Sequence, residues 1–564
     1  MTLPMHQDAA AAAAAVLRRT RMILLLLLLM FSLSSFPSVT AECPEKCLCI
    51  EEIFFCHKKG LDRIPDRIPP AIKVLDLSYN EIMDIESLAH LTELETLIES
   101  YFRNLSNNNI SELKHGAFAN LSKLQSLLLN GNKFENIETG VFNNLTSLEF
   151  LLLHENNIHK LDSEIFKGLT KLYKLTLNNN NISEVKNGAF ANLSKLQILN
   201  LSNSNISEVK NGAFANLSKL QTLLLNGNKI ENIETGVFNN LTSLDSLSLH
   251  DNNIHKLDSE MFKGLTRLFK LMLSNNNISE LKHGGFANLS ELQILYLDNN
   301  KIENIETGAF NNLTSLKVLH LDYNNIHKLD LEMFKGLRKL DKLFLDHNMI
   351  RHIPPGTIDS LTSLSLLWLD HNPLTCDCNI LLFVNVLKKS YPQRDVLWDN
   401  DPSCHFPVEM KEKSLKEITK NDFNCTSPDV IVVPENKTVS VGEQLQLSCK
   451  VVGDPEPYIT WAKDDIDLEL GKRVQVFQNN TLIISKVEKT DGGKYKCVAS
   501  NYLGRKSFEA MVNVNGLAKN GSKTMFRIIR LIIGFSCLFI ILANYLIYNG
   551  ISNIVKNVLL LLFL

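Results

Sequence analysis

Leucine and asparagine recur at fixed places through the middle of the chain. Residues 127–134 read L-x-L-x-x-N-x-F, 151–158 repeat the frame, and 367–374 are its last occurrence. The frame asparagine stands at 80, 108, 132, 156, 180, 228, 252, 276, 300, 324, 348 and 372, with Ser204 once in its place. From position 108 every step is 24 residues. The pattern predicts a solenoid in which short L-x-L strands stack as a parallel sheet over a leucine core.

A second ladder of apolar positions uses phenylalanine, which is abundant (28 residues) while tryptophan is scarce (3). Its members are also 24 residues apart: Phe118, Phe142, Phe166, Phe190, Phe214, Phe238, Phe262, Phe286, Phe310 and Phe334. We expect these rings to stack along the back of the core, and the frame asparagines to bond backbone groups of the adjoining turn. The two ladders resemble leucine-rich repeats, which implies an α/β repeat solenoid over 71–372 with about 13 turns.

Three features vary the repeat. Ser204 should make its turn slightly weaker. The step from Asn80 to Asn108 is 28 residues, with Ile98–Asn104 out of frame, and is either a bulge or a splice error. The phrase E-N-I-E-T-G at Glu231 returns at Glu303, 72 residues later. The array therefore grew by copying three-turn blocks, and near-identical copies argue against a unique catalytic site in the middle turns.

Cysteines flank the array on both sides. Cys43, Cys47, Cys49 and Cys56 precede it, and Cys376, Cys378, Cys404 and Cys425 follow it. A solenoid exposes its apolar core at its ends and needs caps there, so we expect caps at 42–70 and 373–426. The spacings resemble the disulfide-bonded caps of extracellular leucine-rich repeat proteins. That resemblance implies the pairs Cys43–Cys49, Cys47–Cys56, Cys376–Cys404 and Cys378–Cys425. Zinc is disfavoured because neither cluster offers C-x2-C pairs with a matching histidine set.

Residues 427–515 change to a pattern of short strands. Trp461 follows Cys449 by 12 residues, and Tyr495 precedes Cys497 by two. These positions resemble the immunoglobulin signature, in which an inter-sheet disulfide packs on a buried tryptophan beside a tyrosine corner. The resemblance implies an all-β, I-set-like sandwich with a Cys449–Cys497 bond. Cys537 is then the one cysteine left without a partner in this assignment.

The N-terminal end resembles a targeting segment. Arg18, Arg19 and Arg21 precede an apolar run, Met22–Leu33, whose length suits a signal-peptide core. Small residues predict cleavage after Ala41, which makes 1–41 a signal peptide. An uncleaved signal anchor is the alternative.

The C-terminal end allows three interpretations. A linker (516–530) leads to the nearly apolar segment 531–548, which is about long enough to span a bilayer, and then to a short hydrophobic tail (549–564). We expect a single-pass span with an external N-terminus, although the basic residues before it oppose that orientation. A lipid-anchor signal around Asn520–Ser522 and a gene-model error are the alternatives.

Charge and motifs exclude several classes of function. The 58 basic and 61 acidic side chains leave a net charge of −3, whereas a nucleic-acid partner needs a concentrated basic surface. His154, Glu155 and His159 lack the H-E-x-x-H spacing. We find no phosphate loop, nucleophile elbow or carboxylate pair in a plausible cleft, and therefore expect a protein that is not an enzyme and binds neither cofactor nor metal.

Sugar acceptors of the form N-x-S/T are dense. We expect glycans on the outer and lateral faces. An exception is Asn200, which lies within a predicted strand. The other acceptors are Asn104, Asn109, Asn120, Asn144, Asn181, Asn192, Asn205, Asn216, Asn240, Asn277, Asn288, Asn312, Asn436, Asn479 and Asn520.

The last turns offer a candidate binding surface. The residue between the two leucines of L-x-L should face the concave side, where strands are about 4.8 Å apart. We call two sets there the aromatic row and the aspartate row. The aromatic row is Tyr296, His320, Phe344 and Trp368, and the aspartate row is Asp298, Asp322, Asp346 and Asp370. Exposed aromatics favour a protein interface, and the aspartates favour a basic partner. Alternatively, both rows consist of residue types that are common at these positions of the repeat, and they merely cover the sheet.

The order of cap, repeats, cap, immunoglobulin domain and hydrophobic segment resembles the leucine-rich repeat and immunoglobulin family of cell-surface proteins. Members of that family act in adhesion, axon guidance, synapse formation and receptor modulation. The resemblance implies a plasma-membrane protein that binds an extracellular protein ligand or receptor through the concave face and the immunoglobulin domain, with a co-receptor for any signalling. The chain also resembles the N-terminal, non-enzymatic part of peroxidasin. A secreted matrix or immune recognition protein and a truncated peroxidasin relative are the alternatives.

Overall fold

The computed structural model describes residues 43–66, 68–85, 88, 91, 94, 103–354, 356–390, 401–516 and 519–548. The predicted signal peptide (1–41), residues 98–102 of the out-of-frame segment and the predicted tail (549–564) lie outside the described residues. The chain divides into two compact units, each considered by itself. The first runs to Leu321 and includes Gly336–Leu340, and the second comprises Asp322–Lys335 and the chain from Asp341 onward.

A cysteine-rich hairpin begins the first unit. Strands β1 (Leu48–Ile50) and β2 (Ile53–Phe55) pair antiparallel, and β2 pairs in parallel with β3 (Val74–Asp76). The disulfides here are Cys43–Cys49 and Cys47–Cys56, the same pairs that the resemblance implied. The hairpin therefore joins the edge of the repeat sheet, where an open strand and an apolar core would otherwise be exposed.

The repeats of the first unit supply short parallel strands. In chain order they are β4 (Arg103–Asn104), β5 (Ser126–Leu128), β6 (Phe150–Leu152), β7 (Lys174–Thr176), β8 (Glu184–Val185), β9 (Ile198–Asn200), β10 (Glu208–Val209), β11 (Thr222–Leu224), β12 (Asn232–Ile233), β13 (Ser246–Ser248), β14 (Lys270–Met272), β15 (Glu280–Leu281), β16 (Ile294–Tyr296), β17 (Asn304–Ile305) and β18 (Val318–His320). The three-residue strands pair in the 24-residue register, so that Leu223 lies opposite Leu199 and Leu247. Most two-residue strands form separate small parallel sheets, β8–β10–β12 and β15–β17.

Frame asparagines tie successive turns together. Asn156 donates from Nδ2 to the carbonyl of its own Leu153 (3.1 Å) and to that of Leu129 in the preceding turn (3.0 Å). Its Oδ1 accepts from the backbone N–H of Phe134 (3.2 Å). The side chain is buried, so it replaces hydrogen bonds that the bent backbone cannot make for itself.

The phenylalanine ladder forms one stack in the first unit. From Phe118 to Phe310, successive ring centroids are 5.9–6.5 Å apart and the rings are within 6–15° of parallel. The rings are buried, and the leucines between them are almost fully buried as well. The core is thus a continuous column in which each turn packs on its neighbours, as the sequence predicted.

The second unit contains the end of the repeats and their cap. Strands β19 (Lys342–Phe344) and β20 (Leu366–Trp368) pair in parallel. Helix α1 (Cys378–Ser390) follows, and Asp377 Oδ1 accepts the N–H groups of Asn379 (2.9 Å) and Ile380 (3.1 Å), which is N-terminal capping. The cap also has single-turn helices at Val408–Met410 and Lys420–Asp422, and its disulfides are Cys376–Cys404 and Cys378–Cys425.

A β-sandwich follows the cap. Its strands are β21 (Thr426–Val432), β22 (Lys437–Ser440), β23 (Leu445–Leu447), β24 (Lys450–Asp454), β25 (Tyr458–Lys463), β26 (Ile466–Asp467), β27 (Val474–Val476), β28 (Leu482–Ile484), β29 (Gly493–Asn501) and β30 (Gly504–Asn515). They form a five-stranded sheet in the order β22–β30–β29–β25–β26, a three-stranded sheet in the order β23–β28–β27, and the pair β21–β24.

The sandwich core contains the residues that the sequence singled out. The Cys449–Cys497 disulfide and Trp461 are buried, and Trp461 Nε1 donates to the carbonyl of Asn480 (3.1 Å). The hydroxyl of buried Tyr495 donates to the carbonyl of Asp491 (2.8 Å), which is a tyrosine corner. The predicted fold class, a capped repeat solenoid followed by an immunoglobulin-like sandwich, is confirmed.

Helix α2 (Lys519–Tyr548) ends the described chain. Its apolar side chains from Ile528 onward are largely exposed, as is Cys537. Among the described residues, none of the helices combines the length and apolar character required to traverse a bilayer. The predicted membrane span at 531–548 is therefore not supported.

The weak turn at Ser204 generates the first prediction. Ser204 Oγ is buried and has no hydrogen-bond partner among the described residues, while Asn228 in the next turn makes the full set of ladder bonds. Ser204→Asn should complete the ladder and raise the free energy of unfolding by about 1 kcal/mol. The measurement is the denaturant midpoint of the purified protein.

Asn252→Ser is the matched reversal. It removes ladder bonds to the carbonyls of Leu225 and Leu249 and from the N–H of Ile230, and should lower stability by about 1–3 kcal/mol. Neither change creates a sugar acceptor. An unchanged or lower midpoint for Ser204→Asn would contradict the role given to the asparagine ladder.

Candidate functional site

The sheet face is the side of the repeat strands occupied by residues between the two core leucines of each turn. In the first unit, Tyr296 lies opposite His320 on the neighbouring strand. Their rings stack with centroids 4.7 Å apart, and Lys270 Nζ lies 5.3 Å from the centre of the Tyr296 ring. Burial, aided by the nearby Asp298 charge, raises the pKa of Tyr296. This half of the aromatic row is a packed, partly exposed pair.

In the second unit, Phe344 lies opposite Trp368. The rings meet edge to face with centroids 5.0 Å apart. Phe344 is only 9% exposed, contrary to the predicted display of this side chain, because its neighbours on the sheet cover it. Trp368 stays half-buried, and its indole Nε1 is buried with no hydrogen-bond partner among the described residues.

The aspartate row differs from the predicted open acidic stripe. Asp298 and Asp322 are half-buried, but Asp346 and Asp370 are buried. In Asp298 the carboxylate is well partnered, since Oδ1 accepts from Ser274 Oγ (2.6 Å) and Oδ2 from Asn299 Nδ2 (3.0 Å). The sequence predicted that the aspartates share one column, but it could not predict how far neighbouring side chains bury them.

Asp346 is the exceptional carboxylate of the row. Its Oδ2 lies 2.9 Å from His347 Nδ1, whereas its Oδ1 is buried and has no hydrogen-bond partner among the described residues. Burial raises the pKa of Asp346, and the negative charges of Asp322 and Asp370 act in the same direction against the lowering effect of the His347 bond. A buried acceptor without a partner costs about 1–3 kcal/mol.

Three rings form a column that the sequence reasoning missed. Tyr323, His347 and His371 each have a left-handed backbone (φ 52°, 53° and 52°). Their rings stack, with centroids 4.0 Å apart for the first two and 4.1 Å for the two histidines. Each precedes a frame asparagine. The 24-residue frame was the available signal, because it brings equivalent residues side by side. We call this set the outer column.

The motif considered and rejected for metalloprotease chemistry is not a catalytic cluster in the structure. His154 Nδ1 lies 3.0 Å from Thr176 Oγ1, and His159 Nδ1 lies 3.0 Å from Asn181 Nδ2. Each imidazole is thus engaged with the next turn. Glu155 instead occupies a left-handed turn position (φ 57°).

None of the sugar acceptors with described side chains is buried, and most are exposed; the side chains of Asn104 and Asn520 lie outside the described residues. Asn200 lies in β9 on the sheet face, and its Oδ1 accepts from the N–H (3.0 Å) and hydroxyl (2.7 Å) of Ser202. One further acceptor escaped the sequence reasoning. Asn424 is exposed and heads an N-C-T triplet whose middle residue is the disulfide-bonded Cys425.

Two family descriptions match the chain. Leucine rich repeat matches in overlapping segments from 104 to 374. Immunoglobulin I-set domain matches 428–514. The matched segments contain the repeat strands from β5 to β20 and nearly all of the sandwich, so the sequence resemblance to both domain types is confirmed.

Relatives cover only parts of the chain. It is 35% identical over 133 residues to "Peroxidasin homolog" of Mus musculus, which is 23% of this chain and 9% of that protein. It is 30% identical over 156 residues to "Leucine-rich repeat and immunoglobulin-like domain-containing nogo receptor-interacting protein 2" of Homo sapiens, 26% of this chain and 25% of that protein. The matches thus span about a tenth to a quarter of the relatives.

A solved structure titled as an octameric complex of Latrophilin 3, Unc5D and FLRT2 aligns with 67% of this chain and 98% of the chain compared, at 24% identity and a TM-score of 0.46.

The half-buried His154 generates a prediction on pH. Burial lowers the pKa of His154, with Lys174 acting in the same direction and Glu155 opposing. The unfolded chain therefore binds more protons at this site, and its contribution to stability falls as the pH falls through the unfolded value of about 6.5. His154→Gln should lose less stability than the native chain between about pH 8 and pH 5.5.

The readout is thermal or denaturant unfolding of both proteins across that range. At about pH 8 both side chains are neutral, so the difference there measures packing and the Thr176 contact alone. Parallel stability–pH curves would show that His154 contributes nothing to the acid sensitivity.

Proposed function

We propose that this chain of leucine-rich repeats and an I-set immunoglobulin domain is a non-enzymatic recognition protein that binds an extracellular protein partner. The disulfides and the leucine-rich repeat and immunoglobulin relatives indicate an extracellular or cell-surface protein, because such bonds persist in oxidising compartments. The architecture is similar to that of cell-surface adhesion and receptor proteins. The protein partner and the contact surface are what we propose here beyond that architecture.

The observation that carries the proposal is the pair of unsatisfied polar atoms at the end of the sheet face. Asp346 Oδ1 is an acceptor and Trp368 Nε1 a donor, both buried and both without a partner among the described residues. They belong to neighbouring turns of the repeat in the second unit. Both atoms are shielded from solvent, so a partner reaches them only when the surrounding side chains shift. Its Lys or Arg side chain could then bond Asp346, and its carbonyl or carboxylate could bond Trp368.

The surroundings suit an interface. Trp368 is a large, half-buried ring held edge-on by Phe344, and tryptophan on a rigid support is enriched among energetically dominant interface residues. Asp322 and Asp370 add negative charge around Asp346, which favours a basic segment of the partner. We call this the terminal patch: Phe344, Trp368, Asp322, Asp346 and Asp370.

The residues of the terminal patch are not themselves sugar acceptors. The sheet-face acceptor Asn200 lies in the first unit, and the terminal patch contains no N-x-S/T triplet. A sugar on Asn200 would obstruct the sheet face around β9. The proposed contact is therefore the terminal patch, together with the immunoglobulin domain.

No peroxidase activity is proposed. The matched segments of the peroxidasin relatives lie in the repeat and immunoglobulin regions and not in a catalytic domain. Their shared parts support an extracellular binding role, which a secreted matrix protein and a surface receptor would both have.

The terminal patch generates a direct test. Trp368→Ala should weaken partner binding by about 2 kcal/mol, roughly thirtyfold, because it removes the half-buried aromatic anchor of the patch. The secreted chain is screened against arrayed extracellular domains, and affinity for each captured partner is then measured by surface plasmon resonance. Phe344 is left intact, since truncating this buried ring would lower stability as well.

Met272→Ala is the matched control. Met272 occupies the same sheet-face position in β14 and is also half-buried, so the change removes a comparable side chain outside the patch. Both variants should be secreted at native yield. Equal affinities of Trp368→Ala and the native chain for every captured partner would refute the terminal patch as the contact.

A further inference from the structure

Two histidines and a carboxylate converge at the edge of the second unit's sheet. One ligand atom from each of His347, Asp370 and His371 lies within 4.8 Å of the other two. The residue before the frame asparagine is histidine at 347 and 371, whereas the preceding turns carry Asn275, Asn299 and Tyr323 there. The histidine pair is thus specific to the last two turns of the frame.

The backbone explains why the rings meet. His347 and His371 share a left-handed conformation, and the N–H of His347 donates to the carbonyl of Asp370 (3.1 Å). This bond fixes the turns side by side, and the two rings lie 4.1 Å apart and within 9° of parallel. Both side chains remain accessible, with 31% of His347 and 65% of His371 exposed.

The carboxylates around the pair orient the imidazoles. Asp346 Oδ2 lies 2.9 Å from His347 Nδ1, and Asp370 Oδ2 lies 2.6 Å from His371 Nδ1. For His347, the Asp346 carboxylate on Nδ1 fixes the ring and leaves Nε2 as a more basic ligand, which is the arrangement that supports metal-bound histidines. Asp370 must release His371 Nδ1 before it can share an ion with His371 Nε2. Asp346 is an independent indication of a missing charge, since its side chain is only 6% exposed and its Oδ1 has no partner among the described residues.

We propose that His347, His371 and Asp370 bind a divalent transition-metal ion, with zinc the best match and Asp346 as the supporting carboxylate. Two imidazoles and one carboxylate suit zinc, whereas calcium and magnesium require mostly oxygen ligands. Three protein ligands leave one coordination position for water or for a side chain of a partner. The ion's positive charge would also offset the buried charge of Asp346.

Binding requires a small rearrangement. Ligands about 2.0–2.2 Å from a tetrahedral zinc ion are about 3.4 Å from each other, so the three atoms close by at most about 1.4 Å from their present separation. Parallel stacked rings cannot both direct a lone pair at one ion, so the rings must tilt. The exposed His371 has room to turn out of the stack.

The test is a zinc titration of the full, metal-stripped chain by calorimetry. One equivalent should bind, and His371→Asn should weaken binding at least about tenfold, as should His347→Asn. Asparagine occupies the same left-handed position at Asn275 and Asn299, so both variants should fold, and neither creates a sugar acceptor. Substituted cobalt should give the visible spectrum of a tetrahedral site in the native chain, and neither His347→Asn nor His371→Asn should give it.

His327→Asn is the control, because it removes an exposed histidine of the second unit outside the cluster. It should bind zinc as the native chain does. The proposal is overturned if the native chain binds no zinc, or if the two cluster variants keep native affinity. Should His347→Asn fail to be secreted, the more exposed His371→Asn decides alone. Since the readout is zinc affinity of the chain by itself, its failure leaves the proposed partner binding untouched.

Discussion

One buried asparagine in each turn is the constraint on which the rest of the repeat array depends. An L-x-L strand of three residues has too few backbone hydrogen bonds to hold its own turn, and the bend after it leaves carbonyl and N–H groups without partners. The asparagine side chain bonds its own turn and the preceding one, as Asn156 does with Leu153, Leu129 and Phe134. Phenylalanine and leucine then stack into one column because the turns already lie in register.

The same constraint arranges the surface. Once successive turns are fixed in a 24-residue register, every position of the frame forms a column. Neighbouring strands are about 4.8 Å apart, and neighbouring rings of the phenylalanine stack are 5.9–6.5 Å apart. A carboxylate or a ring that occurs once per turn forms a dense cluster when adjacent turns carry the same residue type at the same position. This is how Asp346 comes to share its surroundings with Asp322 and Asp370, and how His347 and His371 come to stack. In copied repeats, a functional surface arises where the copies differ.

The sequence predicted the features that depend on the 24-residue repeat period and on the spacing of the paired cysteines. The strands, the phenylalanine stack and the immunoglobulin core followed from spacing alone or from a resemblance carried by cysteine and tryptophan positions. Burial on the sheet face did not follow. The exposure of Phe344 or Asp346 depends on how side chains of the neighbouring turns cover them, and no local pattern records that. The L-x-L pattern did not predict the outer column, because it says nothing about the residue before the frame asparagine. The left-handed backbone of that residue aligns the rings.

The terminal patch departs from the rule that buried polar groups are paired, because one carboxylate oxygen of Asp346 has no hydrogen-bond donor among the described residues. At the equivalent position of the first unit, Asp298 is satisfied by Ser274 and Asn299. At Asp346 the available partner is His347 on one oxygen, and the other oxygen is left over. If this position were optimised for stability alone, an amide or an apolar residue would be expected in place of the carboxylate. Its presence beside Trp368 and the histidine pair is therefore better explained by a positive charge that arrives from outside the chain, as a basic side chain or a metal ion, than by the folding of the repeats.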